Sequence, residues 1–245
     1  MTAAPGIPFV LLHGSLLGPW SWDAVALELL AAGHRVIAPE LPYGDGRARS
    51  AEHVAAIESA IAEAGGIGDE PPTFVAHSLA GLLAPALGER FPGARIIYVA
   101  ALLPWPGRSL LDQLELEPGI FVPEWARIDA PPAWEDAERA RLFLFHDAAP
   151  VVADAAIARL VPDSPALAFE PAPLRFDRMW PSYVLPTGDR TIDPDWMRRA
   201  TSERLQTRPF VIDTGHCPQI ARPELLAETL LTLALPRGPA ARRAA

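Results

Sequence analysis

Two hydrophobic periods take turns along this chain. Short apolar runs at Phe9–Leu12, Arg35–Ala38, Thr73–Ala76, Arg95–Ala100, Ser182–Pro186 and Pro209–Asp213 read as strands. Between them, Trp22–Ala32, Ala51–Ala64, Leu79–Arg90, Pro194–Glu203 and Pro223–Leu233 carry helical spacing. Such alternation predicts an α/β fold, with a mostly parallel sheet of about six strands flanked by helices. Residues 103–180 break the rhythm with many prolines, four of the seven tryptophans and short helical patterns at Pro132–Phe143 and Pro150–Leu160. They read as a helical cap inserted between a first core part (1–102) and a second (181–235), with 236–245 as a flexible basic tail.

The pattern also locates candidate chemistry. Residues 73–81, TFVAHSLAG, run from a buried strand through a small-x-Ser-x-small turn into a helix. A strand-to-helix turn this sharp needs small residues two positions either side of the serine, here Ala76 and Ala80, with Gly81 following. Ser78 is therefore the candidate nucleophile, and it needs a base that is itself held by an acid. Asp189 follows the strand of SYVLPTG, and His216 follows that of PFVIDTG. In a parallel sheet both loops lie at the carboxyl edge beside Ser78. Asp193 is the other acid in its loop, but its place before Pro194 and Asp195 suits a helix cap. An oxyanion would need two backbone N–H donors. Leu79 is expected to supply one, and Ser15 in HGSLLGPWSW the other, with Leu16 as second choice.

These segments resemble the α/β-hydrolase superfamily, and in particular its compact methylesterase and hydroxynitrile-lyase branch. The resemblance is carried by VLLHGSLLGPWSW, LLAAGHRVIAPELPYGDG, VAHSLAGLLAPAL, LPTGDRTIDPDWMRR and DTGHCPQIARPELLAE. It implies a Ser78–His216–Asp189 triad and acyl transfer through a serine ester. The expected substrate is a carboxylic ester or thioester of a small apolar or aromatic acid, free or carrier-bound. An acyltransferase of the same fold is the alternative, and a non-catalytic receptor a remoter one. Cyanohydrin cleavage is disfavoured, because lyases of this branch use a cap lysine and the chain has none. Trp105, Trp125 and His77 are candidate substrate contacts, with core or loop packing as the competing role for each. His146 and Asp147 read as a hydrogen-bonded pair in the cap, with pocket lining as the less favoured alternative.

Composition narrows the partners. All 21 basic side chains are arginine and the net charge is −9, so no general nucleic-acid interface is expected. No apolar run of about 18 residues predicts a membrane span. The single cysteine, Cys217, and an N-terminus without signal-peptide character lead to a cytoplasmic expectation. No cofactor motif or metal-ligand spacing occurs, so neither is expected. The pattern assigns no oligomeric state.

Overall fold

The computed structural model describes residues 6–68, 70–127, 129–163, 166–175 and 179–235. The predicted tail, 236–245, lies outside them. Six strands form one sheet: β1 (Pro8–Leu12), β2 (Arg35–Ile37), β3 (Thr73–His77), β4 (Arg95–Val99), β5 (Trp180–Pro186) and β6 (Phe210–Ile212). Their order is β2-β1-β3-β4-β5-β6, and every neighbouring pair is parallel. All six predicted strands are present.

Two cores follow from the period of two. Val10, Leu12, Phe74, Ala76, Ile96, Tyr98 and Leu185 join one cluster. It takes in α2 (Ser50–Glu63) through Val54, Ile57 and Ile61, and α7 (Pro194–Leu205) through Trp196 and Met197. Phe9, Leu11, Val75, Ile97 and Val184 join the other, against Val25 and Leu29 of α1 (Asp23–Ala31) and Leu226 and Leu230 of α8 (Pro223–Ala234). Successive strand residues point to opposite faces, so the central strands β1, β3, β4 and β5 are apolar on both.

The predicted helix Leu79–Arg90 is divided into a 3-10 turn over Ser78–Leu83 and α3 (Ala84–Arg90). Pro85 has no N–H to close an α-turn onto Gly81, and the N–H of Ala84 bonds to the Gly81 carbonyl instead.

Between β4 and β5 lie α4 (Leu110–Leu116), α5 (Ala137–Phe143) and α6 (Pro150–Ile157). The pattern overlooked α4, although Ser109 and Asp112 form a capping box at its start. It began α5 five residues early, because Asp136 caps the N–H of Arg139 there. A third cluster joins Ala140 of α5 and Ala153 and Ala156 of α6 to Leu16 and Leu17 after β1, and to Cys217. These helices therefore cover the carboxyl edge of the sheet.

Candidate active site

β3 ends at His77, and Ser78 enters the turn with φ of 53°. A non-glycine residue in this left-handed region costs about 1–3 kcal/mol, so the surroundings must hold it there. The Leu102 N–H donates to the Ser78 carbonyl at 3.0 Å. That segment is fixed in turn by the buried Tyr183 hydroxyl, which donates to the Ala101 carbonyl (2.6 Å) and accepts from its N–H (3.0 Å). Ala100 just before it is also left-handed, at φ 47°. Tyr183 is a supporting residue that sequence reading missed, and a tyrosine in a buried strand carries no signal of such a role.

Space around the turn is decided by two glycines. A Cβ on Gly81 would lie 2.1 Å from the Leu102 carbonyl oxygen. On Gly14 it would lie 2.9 Å from the Ser78 Cβ and 2.8 Å from His77 Nδ1. Ala76 and Ala80 are fully buried. The turn thus accepts alanine at 76 and 80, and the position that demands glycine is Gly81.

Ser78, His216 and Asp189 come together. His216 Nε2 lies 3.1 Å from Ser78 Oγ, and His216 Nδ1 lies 2.7 Å from Asp189 Oδ2. The carboxylate accepts, so Nδ1 carries the proton and Nε2 is left to accept from the serine hydroxyl. The other oxygen, Asp189 Oδ1, accepts from the N–H groups of Thr191 (2.7 Å) and Ile192 (3.0 Å). Both partners of the pair are buried, which strengthens the bond between them. Asp193 caps α7 by accepting from the Trp196 N–H, the role expected of it.

Contact with Gly14 brings the loop after β1 against Ser78. Within that loop Ser15 Oγ donates to the Asp163 carboxyl, and Leu16 turns with φ of 67°. Burial raises the Asp163 carboxyl above its usual range. Leu79 is the first residue after Ser78 in the 3-10 turn, where backbone N–H groups have no partner within the helix. His13 pins the loop base: its Nδ1–H donates to the Gly14 carbonyl (2.9 Å) and Nε2 accepts from Leu41 N–H (3.0 Å). Burial lowers its pKa to about 4. The ring is thus neutral, and Glu40 at 3.6 Å is a neighbour rather than an ion-pair partner.

The three candidate substrate contacts have different surroundings. His77 is 1% exposed, and its Nε2–H donates to the His216 carbonyl at 2.9 Å, so it supports the loop of the base. Burial, then the neighbouring His216, hold its pKa well below the usual histidine value. Trp105 sits under the Arg204 guanidinium, 5.1 Å from the ring centre. It lines a cleft of about 540 Å³ with Pro104, Pro106, Leu174 and Arg204, and none of Ser78, Asp189 or His216 lines that cleft. Trp125 packs on Phe143 (5.6 Å) and Arg139 (5.1 Å) and joins the cluster of Leu16 and Leu17. Cys217 is fully buried, and burial pushes its thiol well above the usual range, so it packs rather than reacts.

Residues 9–229 match the alpha/beta hydrolase family. Methylesterase 7 of Arabidopsis thaliana is 33% identical over 104 residues, 39% of this chain and 40% of that protein. The chain thus matches less than half of the length of the first curated relatives. Methylesterase 8 of the same plant is 24% identical over 92% of this chain and 89% of its own length. Among solved structures, polyneuridine aldehyde esterase superposes with a TM-score of 0.72 at 18% identity, covering 94% of this chain and all of that one. These likenesses agree with the resemblance to the methylesterase branch and with the fold.

Proposed function

The chain belongs to the alpha/beta hydrolase family, and from that premise we propose that it is a serine hydrolase cleaving a carboxylic ester through an acyl-Ser78 intermediate. One observation carries this reading: the continuous hydrogen-bonded chain from Asp189 through His216 to Ser78 Oγ. Esterases and methylesterases among the relatives support an ester, rather than a thioester, as the bond cleaved.

In the proposed reaction His216 Nε2 takes the hydroxyl proton as Ser78 Oγ bonds to the carbonyl carbon. Asp189 stabilises the resulting imidazolium. The backbone N–H groups of Ser15 and Leu79 receive the oxyanion, a contribution of about 10²–10³ in rate for each such donor. Collapse breaks the bond to the leaving alkoxide, which departs with the proton from Nε2. Water then loses a proton to His216, attacks the acyl carbon, and releases the acid and the free serine.

The test pairs wild type and Ser78→Ala with a p-nitrophenyl ester and a fluorophosphonate. Covalent mass and nitrophenol release by wild type, both lost in Ser78→Ala, are expected. A label on Ser78 without ester turnover would replace hydrolysis by transfer to another acceptor. Equal release by Ser78→Ala would remove the serine mechanism.

A further inference from the structure

The His216 loop is held by the sheet at few points, one of them the bond from His77, at the end of β3, to the His216 carbonyl. It leaves β6, an edge strand of three residues that pairs only with β5, and Phe210 and Val211 are exposed. Backbone bonds from Thr187 N–H to the Ile212 carbonyl and from Gly188 N–H to the Thr214 carbonyl, both 2.9 Å, tie it to the Asp189 loop. Neither bond reaches the N–H of Gly215, the residue next to His216, although the second holds the carbonyl of that same peptide group.

Two adjacent side chains from the covering segment reach both loops. His146 Nε2–H donates to the Gly188 carbonyl at 2.9 Å, one residue before Asp189. Asp147 Oδ2 accepts from the Gly215 N–H at 2.6 Å, one residue before His216. The fit is tight: a Cβ on Gly215 would lie 2.5 Å from Asp147 Oδ1 and 2.8 Å from His146 Nε2. Other bonds dock the same segment on the acid's loop. Arg190 donates to the Leu142 carbonyl (3.4 Å), and the Thr191 hydroxyl to that of Phe143 (3.5 Å). Asp147 Oδ1 is buried and has no hydrogen-bond partner among the described residues. A buried polar atom left unpaired costs about 1–3 kcal/mol, a penalty that apolar packing at this turn would avoid.

Resting on the serine hydrolase reading, we infer that His146 and Asp147 are positioning residues. As a clamp across both loops, they hold Asp189 and His216 at bonding distance. The covering segment thereby completes the acid–base geometry, adding to the hold of His77 on the His216 carbonyl. Neither residue touches the reacting atoms. Each acts through the backbone of the residue before its catalytic partner.

Hydrogen bonding, rather than charge or bulk, is the operative feature, so variants separate the roles. Asp147→Ala and His146→Ala are expected to lower kcat about tenfold to a hundredfold, the scale for a displacement of about 1 Å at a reacting group. KM should stay within about twofold, since ground-state binding is untouched. Asp147→Asn keeps an oxygen acceptor and His146→Gln keeps an N–H donor, so both are expected to restore most of the rate. A second readout needs no substrate: the far-downfield proton resonance of the Nδ1–H between His216 and Asp189. It should broaden or shift in Asp147→Ala and return in Asp147→Asn. Should Asp147→Ala fail to fold, Asp147→Ser, whose hydroxyl is too short to reach Gly215, takes its place in both measurements. Wild-type kcat and an unmoved resonance in the truncated variants would overturn the inference. So would loss of rate that Asp147→Asn does not restore. A wild type that leaves Ser78 unlabelled sinks the hydrolase reading instead, and the resonance still tests the clamp.

Discussion

The sheet and the segment between β4 and β5 are built on different terms. In the sheet, alternate residues feed two opposed cores, and each strand is recognisable from its own few residues. In the covering segment, short helices start where a side chain caps them, as at Ser109 and Asp136. They hold their place through bonds to loops far away in sequence, such as those of His146 and Asp147. Burial on both faces stabilises the central strands, whereas the segment divides its apolar side chains between the sheet core, through Leu110, Ile120 and Leu167, and one smaller cluster, and adds a few polar contacts. A parallel sheet supplies three loops at one edge, and the segment trims the geometry among them.

Perturbations can break this contrast, and the largest effect belongs to the loop residues at the sheet edge. Ser78→Ala and His216→Ala should each reduce kcat by about four orders of magnitude or more, and Asp189→Asn by about 10⁴, measured with an activated ester. Equal losses from truncating Trp105 would show that its cleft belongs to the site and would undo the separation seen here.

Gly81→Ala comes next. Its methyl meets backbone oxygen rather than a flexible side chain, so a loss of about 3 kcal/mol in thermal or denaturant unfolding is expected. An unchanged midpoint would mean that the turn is slack.

Acid should weaken the sheet-edge region in a defined window. His13 stays neutral in the folded state down to about 4, while the unfolded chain takes up a proton near 6.5. Between those values the unfolded state binds more protons, so stability falls as pH falls, by up to about 3 kcal/mol from His13. His77 is lowered in the same direction and steepens the loss. Unfolding midpoints taken across pH 4 to 6.5 should show a flatter dependence in His13→Gln than in wild type.

The smallest effect sharpens the contrast from the covering side. Ser109→Ala removes the α4 cap and should cost about 1 kcal/mol with kcat unchanged. A drop in kcat would show that α4, like the His146 turn, reaches the site.

Much was legible before any fold was known, because the signals are local. Apolar runs marked all six strands, the small-residue turn marked Ser78, and the loops after β5 and β6 held Asp189 and His216. Boundaries failed where a single side chain or a missing N–H decides them, as with Asp136 and Pro85. Trp105 and His77 were candidates for substrate contact, Trp105 as an aromatic residue of the cap because small-molecule pockets are mostly apolar and aromatic. Only the packing bonded His77 to the His216 carbonyl and put Trp105 under Arg204.

The chain's own pattern determined the parallel sheet, its connections and the three loops that converge at its edge. Period and turn chemistry act over a few residues and are written in order. Tertiary structure alone decided which glycine the serine turn requires, which tyrosine steadies it, and how a histidine and an aspartate in the covering segment reach Gly188 and Gly215. Those contacts join residues tens of positions apart through close approach of backbone and side chain, and no local pattern encodes such an approach.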